Sequence, residues 1–136
     1  MHHAYLTSPR IGGPLFVTHH GAGSSGLSFA AFTKEIRALL PDAGVLSLDC
    51  RGHGLTVQTP EPDITDLELG VLSSDLGFVV KATQDQMHWK TSPDIVLIGH
   101  SLGGAVTTDL AKKGMLNPKV LAYAVLDVVE GKLTYR

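Results

Sequence analysis

Ser101 stands in IVLIGHSLGGAV (95–106), where an apolar run, a Gly-x-Ser-x-Gly turn and a helical pattern follow one another. A serine hydroxyl is a weak nucleophile until a turn presents it and a base takes its proton; a sharp strand-to-helix turn performs the first task. Gly99 and Gly103, two residues to either side, allow strand and helix to approach closely. The same turn offers the Leu102 N–H to a developing oxyanion, so the chemistry indicated is acyl transfer. Taken without its context, the pentapeptide supports only a serine that caps a helix.

A second glycine-rich segment, HHGAGSSG (19–26), follows the apolar run at Leu15–Thr18. Gly21, Gly23 and Gly26 complete a G-x-G-x-x-G, and Asp49 ends the next apolar run 23 residues later. That spacing suits a dinucleotide, with its pyrophosphate on the loop and its ribose on the carboxylate. The other reading makes the loop a source of backbone donors. Ala22 then supplies the second oxyanion N–H, and His20, Gly21, Gly23 and His100 position the loop or the substrate. His19 and His20 crowd the first glycine, and Gly52-His53-Gly54 crowds the residues after Asp49. The second reading gives loop and elbow a common purpose, with Asp49 orienting the loop and Arg51 and His53 organising the segment that follows it.

Positioning these groups requires strands that end at the same edge. Leu15–Thr18, Val45–Leu48, Ile95–Ile98 and Val120–Leu126 are short, nearly continuous apolar runs, the pattern of parallel strands buried on both faces. Between them Phe29, Phe32, Ile36, Leu39 and Leu40, and then Leu69, Leu72, Leu76, Val79 and Val80, recur at helical spacing and are expected in the core. Thr65 and Glu68 form a capping box for the second helix, and Lys112, Lys113 and Gly114 close a third. The order βαβαβαβ predicts an α/β fold with an open, mainly parallel sheet and helices on its faces. Ligands in such sheets bind beyond the strands' carboxyl ends. Thr56 to Asp63 reads as a Pro-rich surface loop.

Composition excludes several classes of function. With 136 residues, 43% of them hydrophobic and 18% charged, the chain is sized for one domain, and a formal net charge of −2 without a basic stripe argues against nucleic acid and anionic membranes. Its single cysteine, Cys50, excludes an internal disulfide and reads as a partly buried, unreactive thiol. The histidine spacings match no metal motif, and no metal or other cofactor is expected. No apolar run approaches the roughly 20 residues of a membrane span, and the N-terminus lacks a signal-peptide core, so cytosol or nucleus is expected.

His20-Gly21, Asp49-x-Arg51-Gly52-His53-Gly54 and Gly99-His100-Ser101-Leu102-Gly103-Gly104 together resemble the α/β-hydrolase superfamily. HHGAGSSGLSFA, LSLDCRGHG, DIVLIGHSLGGAV and AVLDVVEG, spread from Pro14 to Gly131, resemble the protein phosphatase methylesterases more narrowly. The resemblance implies hydrolysis of the methyl ester on the C-terminal leucine of the type 2A phosphatase catalytic subunit. It assigns Ser101 as nucleophile and Asp127 as triad acid, in the hydrolase order of serine, acid, histidine. It also implies a histidine well beyond Asp127, whereas all seven histidines here precede Ser101. The chain therefore resembles the N-terminal part of a methylesterase, one partial α/β-hydrolase domain, and is expected to be inactive alone. Its incomplete sheet is expected to expose apolar surface suited to a complementary chain or to self-association. Two other readings are a non-catalytic hydrolase-like module that binds the phosphatase or a partner chain, and a dinucleotide-binding domain.

Overall fold

Strand alternation divides the apolar residues between two faces. In the computed structural model, which describes residues 1–57 and 67–128, Leu15, Val17, Leu46, Leu48, Ile95 and Leu97 point to one side of a five-stranded sheet. Phe16, Val45, Val96 and Ile98 point to the other. The strands are β1 (Ala4–Thr7), β2 (Leu15–His19), β3 (Gly44–Leu48), β4 (Ile95–His100) and β5 (Val120–Leu126), in the spatial order β1-β3-β2-β4-β5. β2, β3, β4 and β5 run parallel, and β1 lies antiparallel on β3 with Ala4 opposite Leu48.

Helices cover both faces. α1 (Ala30–Leu39) follows a single 3₁₀ turn at Gly26–Phe29 and packs Phe32 and Ile36 with Phe29 against Phe16 and Val45. α2 (Leu69–Met87) and α3 (Leu102–Lys113) cover the opposite face, with Leu72, Leu76, Val79, Val80, Val106 and Leu110 sharing the larger core. Each fully buried leucine here contributes roughly 1.5–3 kcal/mol of apolar burial. Asp109 and Lys113 of α3 join the buried Ser73 of α2, with the lysine also reaching the Gly70 carbonyl at 2.8 Å, which tethers the two helices along their seam.

The chain order places β3 on one side of β2 and β4 on the other. The crossover direction therefore reverses between β2 and β4, and in open α/β sheets the carboxyl edge at such a reversal is the usual ligand position. The glycine-rich loop leaves β2 and the Ser101 turn leaves β4.

The four runs expected as parallel strands are strands, and Gly114 caps α3 in the left-handed conformation at φ 67° after two basic residues. Several expectations need correction. β1 precedes the anticipated elements; at four half-buried residues on a sheet edge it is too short to show a period. Glu68 occupies the N-cap of α2 with no side-chain cap, so it is not the third helical residue that a capping box needs; Thr65 lies outside the described residues, as do 58–63 of the Pro-rich loop. Leu39, Leu40 and Leu69 are exposed because each lies at a helix end, beyond the sheet surface that the central turns cover. β5 is open on both faces, with Leu121, Tyr123, Val125 and Leu126 all exposed at the sheet edge. Cys50 is fully rather than partly buried.

Candidate active site

Ser101 sits between β4 and α3 at φ 52° and ψ −120°, a conformation that non-glycine residues adopt only where the surroundings enforce it. The enforcement comes from both sides of the turn. The Ser101 N–H donates to the Leu126 carbonyl of β5 at 2.9 Å, and the Ser101 carbonyl accepts the Gly104 N–H at 2.8 Å as α3 begins. Close packing fixes the rest: a Cβ on Gly103 would lie 2.0 Å from the His19 carbonyl oxygen, and one on Gly99 would lie 2.1 Å from the Gly103 carbonyl oxygen. The serine itself is exposed at the carboxyl edge of the sheet.

The loop after β2 lies against this turn. A Cβ on Gly21 would sit 3.2 Å from both the Ser101 Cβ and the His100 Nδ1. Gly21 to Ser24 form a turn closed by the Ser24 N–H on the Gly21 carbonyl, with Gly23 at φ 75° in the position that demands glycine. Among the described residues the Ala22 and Leu102 amides donate to no protein acceptor, whereas the Gly23 N–H is committed to His53 Nε2 at 3.0 Å. Of these two neighbouring loop amides, that of Gly23 is spent within the chain and that of Ala22 is not.

The segment after β3 holds that loop in place. Asp49 is buried and accepts the Gly26 N–H at 2.7 Å, the Leu55 N–H at 2.9 Å and the His3 Nδ1–H at 3.1 Å. Burial pushes its pKa upward, but the two amides and the His3 ring outweigh it and hold the carboxyl below the usual carboxylate range. A carboxylate so engaged is not available to a ribose, which sets the dinucleotide reading aside. His20 donates from Nδ1 to the Gly21 carbonyl at 2.7 Å and accepts the Cys50 N–H at Nε2 at 3.0 Å. With both nitrogens occupied and burial lowering its pKa, it acts as a loop brace and cannot take a proton from Ser101. His19 is buried beside it, its pKa pushed down to about 4 by burial, and donates from Nδ1 to the His20 carbonyl.

Arg51 forms a two-pronged ion pair with Asp75 of α2, at 2.6 and 2.9 Å. Burial raises the Asp75 pKa, yet His2 and Arg51 bring it down to about 2. Burial and Asp75 raise the Cys50 thiol to about 11, so it is protonated at neutral pH and a poor nucleophile. Asp75 and His3 were not legible as participants. Asp75 interrupts the Leu72–Leu76–Val79 stripe of α2, a charge on a core-facing surface that signals a buried partner; His3 immediately precedes β1, the strand that no sequence pattern revealed.

Asp127 follows β5 directly, at φ 51°, exposed, and one residue beyond the Leu126 carbonyl that holds Ser101. Because His100 and Leu126 pair in register, Ser101 and Asp127 leave adjacent strands at the same level. Val128 follows as the last described residue. His100 is exposed beside Gly21. Among the described residues no group of three His, Cys, Asp or Glu side chains is placed to hold a metal, and no helix is long and apolar enough to cross a membrane. A cleft of about 340 Å³ lined by Arg10, Trp89 and Lys119 opens at the strands' amino ends, remote from Ser101.

This sheet order and strand-turn-helix define an α/β hydrolase. Residues 15–133 match the model of the alpha/beta hydrolase family, and the chain belongs to that family of hydrolytic enzymes. Its fold is that of a marine microorganism esterase, with a TM-score of 0.72 at 22% identity over 97% of this chain and 44% of that one. A lipase-esterase related protein from Clostridium acetobutylicum has a TM-score of 0.70 at 22% identity, over 94% of this chain and 47% of that one. Within the family the chain is similar to proteins named protein phosphatase methylesterase 1. It is 63% identical to the one from Aspergillus oryzae over 96% of this chain and 31% of that protein. For the Schizosaccharomyces pombe protein the identity is 41%, over 93% of this chain and 36% of the relative. The chain spans about a third of the length of these curated relatives.

Proposed function

We propose that this chain contributes the nucleophile, the acid and the oxyanion donors of a serine carboxylesterase that demethylates the C-terminal leucine methyl ester of the type 2A phosphatase catalytic subunit. The observation that carries the reading is the exposed Ser101 at φ 52°, with the Ala22 loop packed against its turn. Similarity to proteins named methylesterases supplies the substrate class.

In this mechanism Ser101 Oγ attacks the ester carbonyl carbon while a histidine takes its proton. The negative charge gathers on the former carbonyl oxygen, where the Leu102 and Ala22 N–H groups meet it. Collapse of the tetrahedral intermediate breaks the bond to the methoxy oxygen, which leaves as methanol with the proton from histidine. Water, deprotonated by the same histidine, then attacks the acyl-serine and releases the leucine carboxylate and Ser101. Asp127 holds the imidazole in the tautomer whose Nε2 faces the serine.

The base is the missing partner. No histidine follows His100 in the sequence, and His19 and His20 are buried with their ring Nδ1 atoms committed to the backbone. We therefore propose that the 136 residues alone do not turn over the ester, and that the base is a histidine C-terminal to the acid, as the family resemblance implies. A buried lone thiol and a phosphatase substrate fit the cytosol or nucleus. A second reading, a non-catalytic module that binds the phosphatase or a partner chain, rests on the apolar Leu121, Tyr123 and Val125 that β5 exposes. Hydrolysis of a leucine methyl ester peptide by the full-length protein, lost in Ser101→Ala, supports the esterase. Tight peptide binding with no serine-dependent turnover supports the module.

A further inference from the structure

The Gly23 amide, which belongs to the glycine-rich loop, donates to a side chain of another loop, His53 Nε2 at 3.0 Å. The other nitrogen of that ring donates to the Arg51 carbonyl at 2.9 Å. These two bonds assign the ring's roles: Nδ1 carries a hydrogen and Nε2 presents its lone pair to the Gly23 amide. The His20 ring lies 5.2 Å away and is held in the same tautomer by the Gly21 carbonyl and the Cys50 N–H.

We infer that His53 is a positioning residue for acyl transfer: it clamps the Gly21–Ser24 turn so that the Ala22 N–H points at the oxyanion. The inference rests on the esterase reading above. Ala22 and Gly23 are the two central residues of one turn, so a bond that fixes the Gly23 peptide plane also fixes how Ala22 is aimed. Ala22 and Gly23 are exposed, and packing alone does not hold them; a Cβ on Gly23 would meet no atom within 4 Å. From the segment after β3, Asp49 holds the far end of the loop at Gly26, and the Cys50 N–H fixes the His20 ring, which braces the near end at Gly21. His53 is the contact at the tip. An oxyanion donor acts through orientation established before the charge develops, so loosening the tip affects the transition state more than the bound ester.

The test combines a spectroscopic and a kinetic measurement on the full-length protein. Nitrogen-15 spectra are expected to show His53 with a hydrogen on Nδ1 and a through-bond coupling from the Gly23 amide to Nε2. His53→Ala is expected to lower kcat about ten- to hundredfold with KM changed less than about twofold, and to speed exchange of the Gly23 amide hydrogen while the Gly26 amide stays protected. His53→Gln, whose Oε1 lies as many bonds from Cα as the ring Nε2, is expected to restore most of kcat. An Nε2–H tautomer without the coupling, or unchanged kcat in His53→Ala, overturns the proposal. The expected coupling in a protein that shows no Ser101-dependent hydrolysis overturns the esterase reading instead, and the positioning role falls with it.

Discussion

The Ser101 N–H donates to the Leu126 carbonyl across 2.9 Å, which ties the turn after β4 to the last residue of β5. One bond thus sets the level at which Ser101 and Asp127 leave neighbouring parallel strands. It also helps keep Ser101 at a φ that a side chain disfavours.

Removing the side chain at Ser101 separates stability from chemistry. Ser101→Ala and Ser101→Gly are both expected to abolish ester hydrolysis by the full-length protein, with losses of ~10⁵- to 10⁶-fold in kcat. Ser101→Gly is expected to unfold at higher denaturant than Ser101→Ala, by about 1 kcal/mol, because glycine adopts φ 52° without a Cβ penalty. Equal stability of the two variants contradicts the strained turn.

Gly103→Ala places a methyl 2.0 Å from the His19 carbonyl, a backbone atom that cannot rotate away. We expect a loss of roughly 3 kcal/mol or more, read as a lower urea midpoint, together with loss of activity from displacement of the β2 loop. Gly12→Ala, at a site where a Cβ meets nothing within 4 Å but φ is 83°, is the control, costing only about 1–2 kcal/mol of backbone strain.

Asp49→Asn keeps the shape of the carboxylate but turns one acceptor into an NH₂ group facing either the Leu55 or the Gly26 N–H. The expected cost is about 2–3 kcal/mol in chemical denaturation, since one buried amide loses a charged acceptor. If the variant retains full stability, the carboxylate does not brace the loop.

Acid should weaken the fold in a defined window. His19 is buried with its pKa lowered to about 4, while the unfolded chain takes a proton near 6.5. The unfolded state then binds more protons as pH falls from about 6.5 towards 4, and its contribution to stability declines by up to about 1.4 kcal/mol per pH unit. His20, also shifted down, acts in the same direction. Asp49 and Asp75, both held below the carboxylate range, lose their contributions only under more acid conditions, as pH falls through their folded values. Urea midpoints measured from pH 7 to 4 should fall, and His19→Asn, which keeps a donor for the His20 carbonyl, should flatten the curve. A wild-type midpoint constant over this range refutes the assignment.

Much of the framework around the proposed site was legible in order along the chain. Continuous apolar runs mark the strands, buried in β2 and β3 though not in β5, Gly99 and Gly103 mark the tight turn at Ser101, and Asp127 falls at the end of the last run. Those are local properties, set by side-chain period and by which residues tolerate a tight turn. Burial at helix ends was not local: Leu39 and Leu69 follow the apolar period yet stay exposed, because the extent of the sheet beneath them depends on strand order. Nor did any periodicity announce β1, which is held by four pairings to β3 rather than by its own pattern.

The meaning of the glycine-rich loop shows the same division. Its residues alone were compatible with a pyrophosphate cradle or an oxyanion loop, since both need glycine where backbone amides approach a ligand. Only the folded chain brings Gly21 against Ser101, turns Asp49 inward onto Gly26, and sets His53 beneath Gly23. Backbone amides have no sequence signature of their own, and which of them is spent on an internal acceptor is settled by contacts between residues about 30 positions apart.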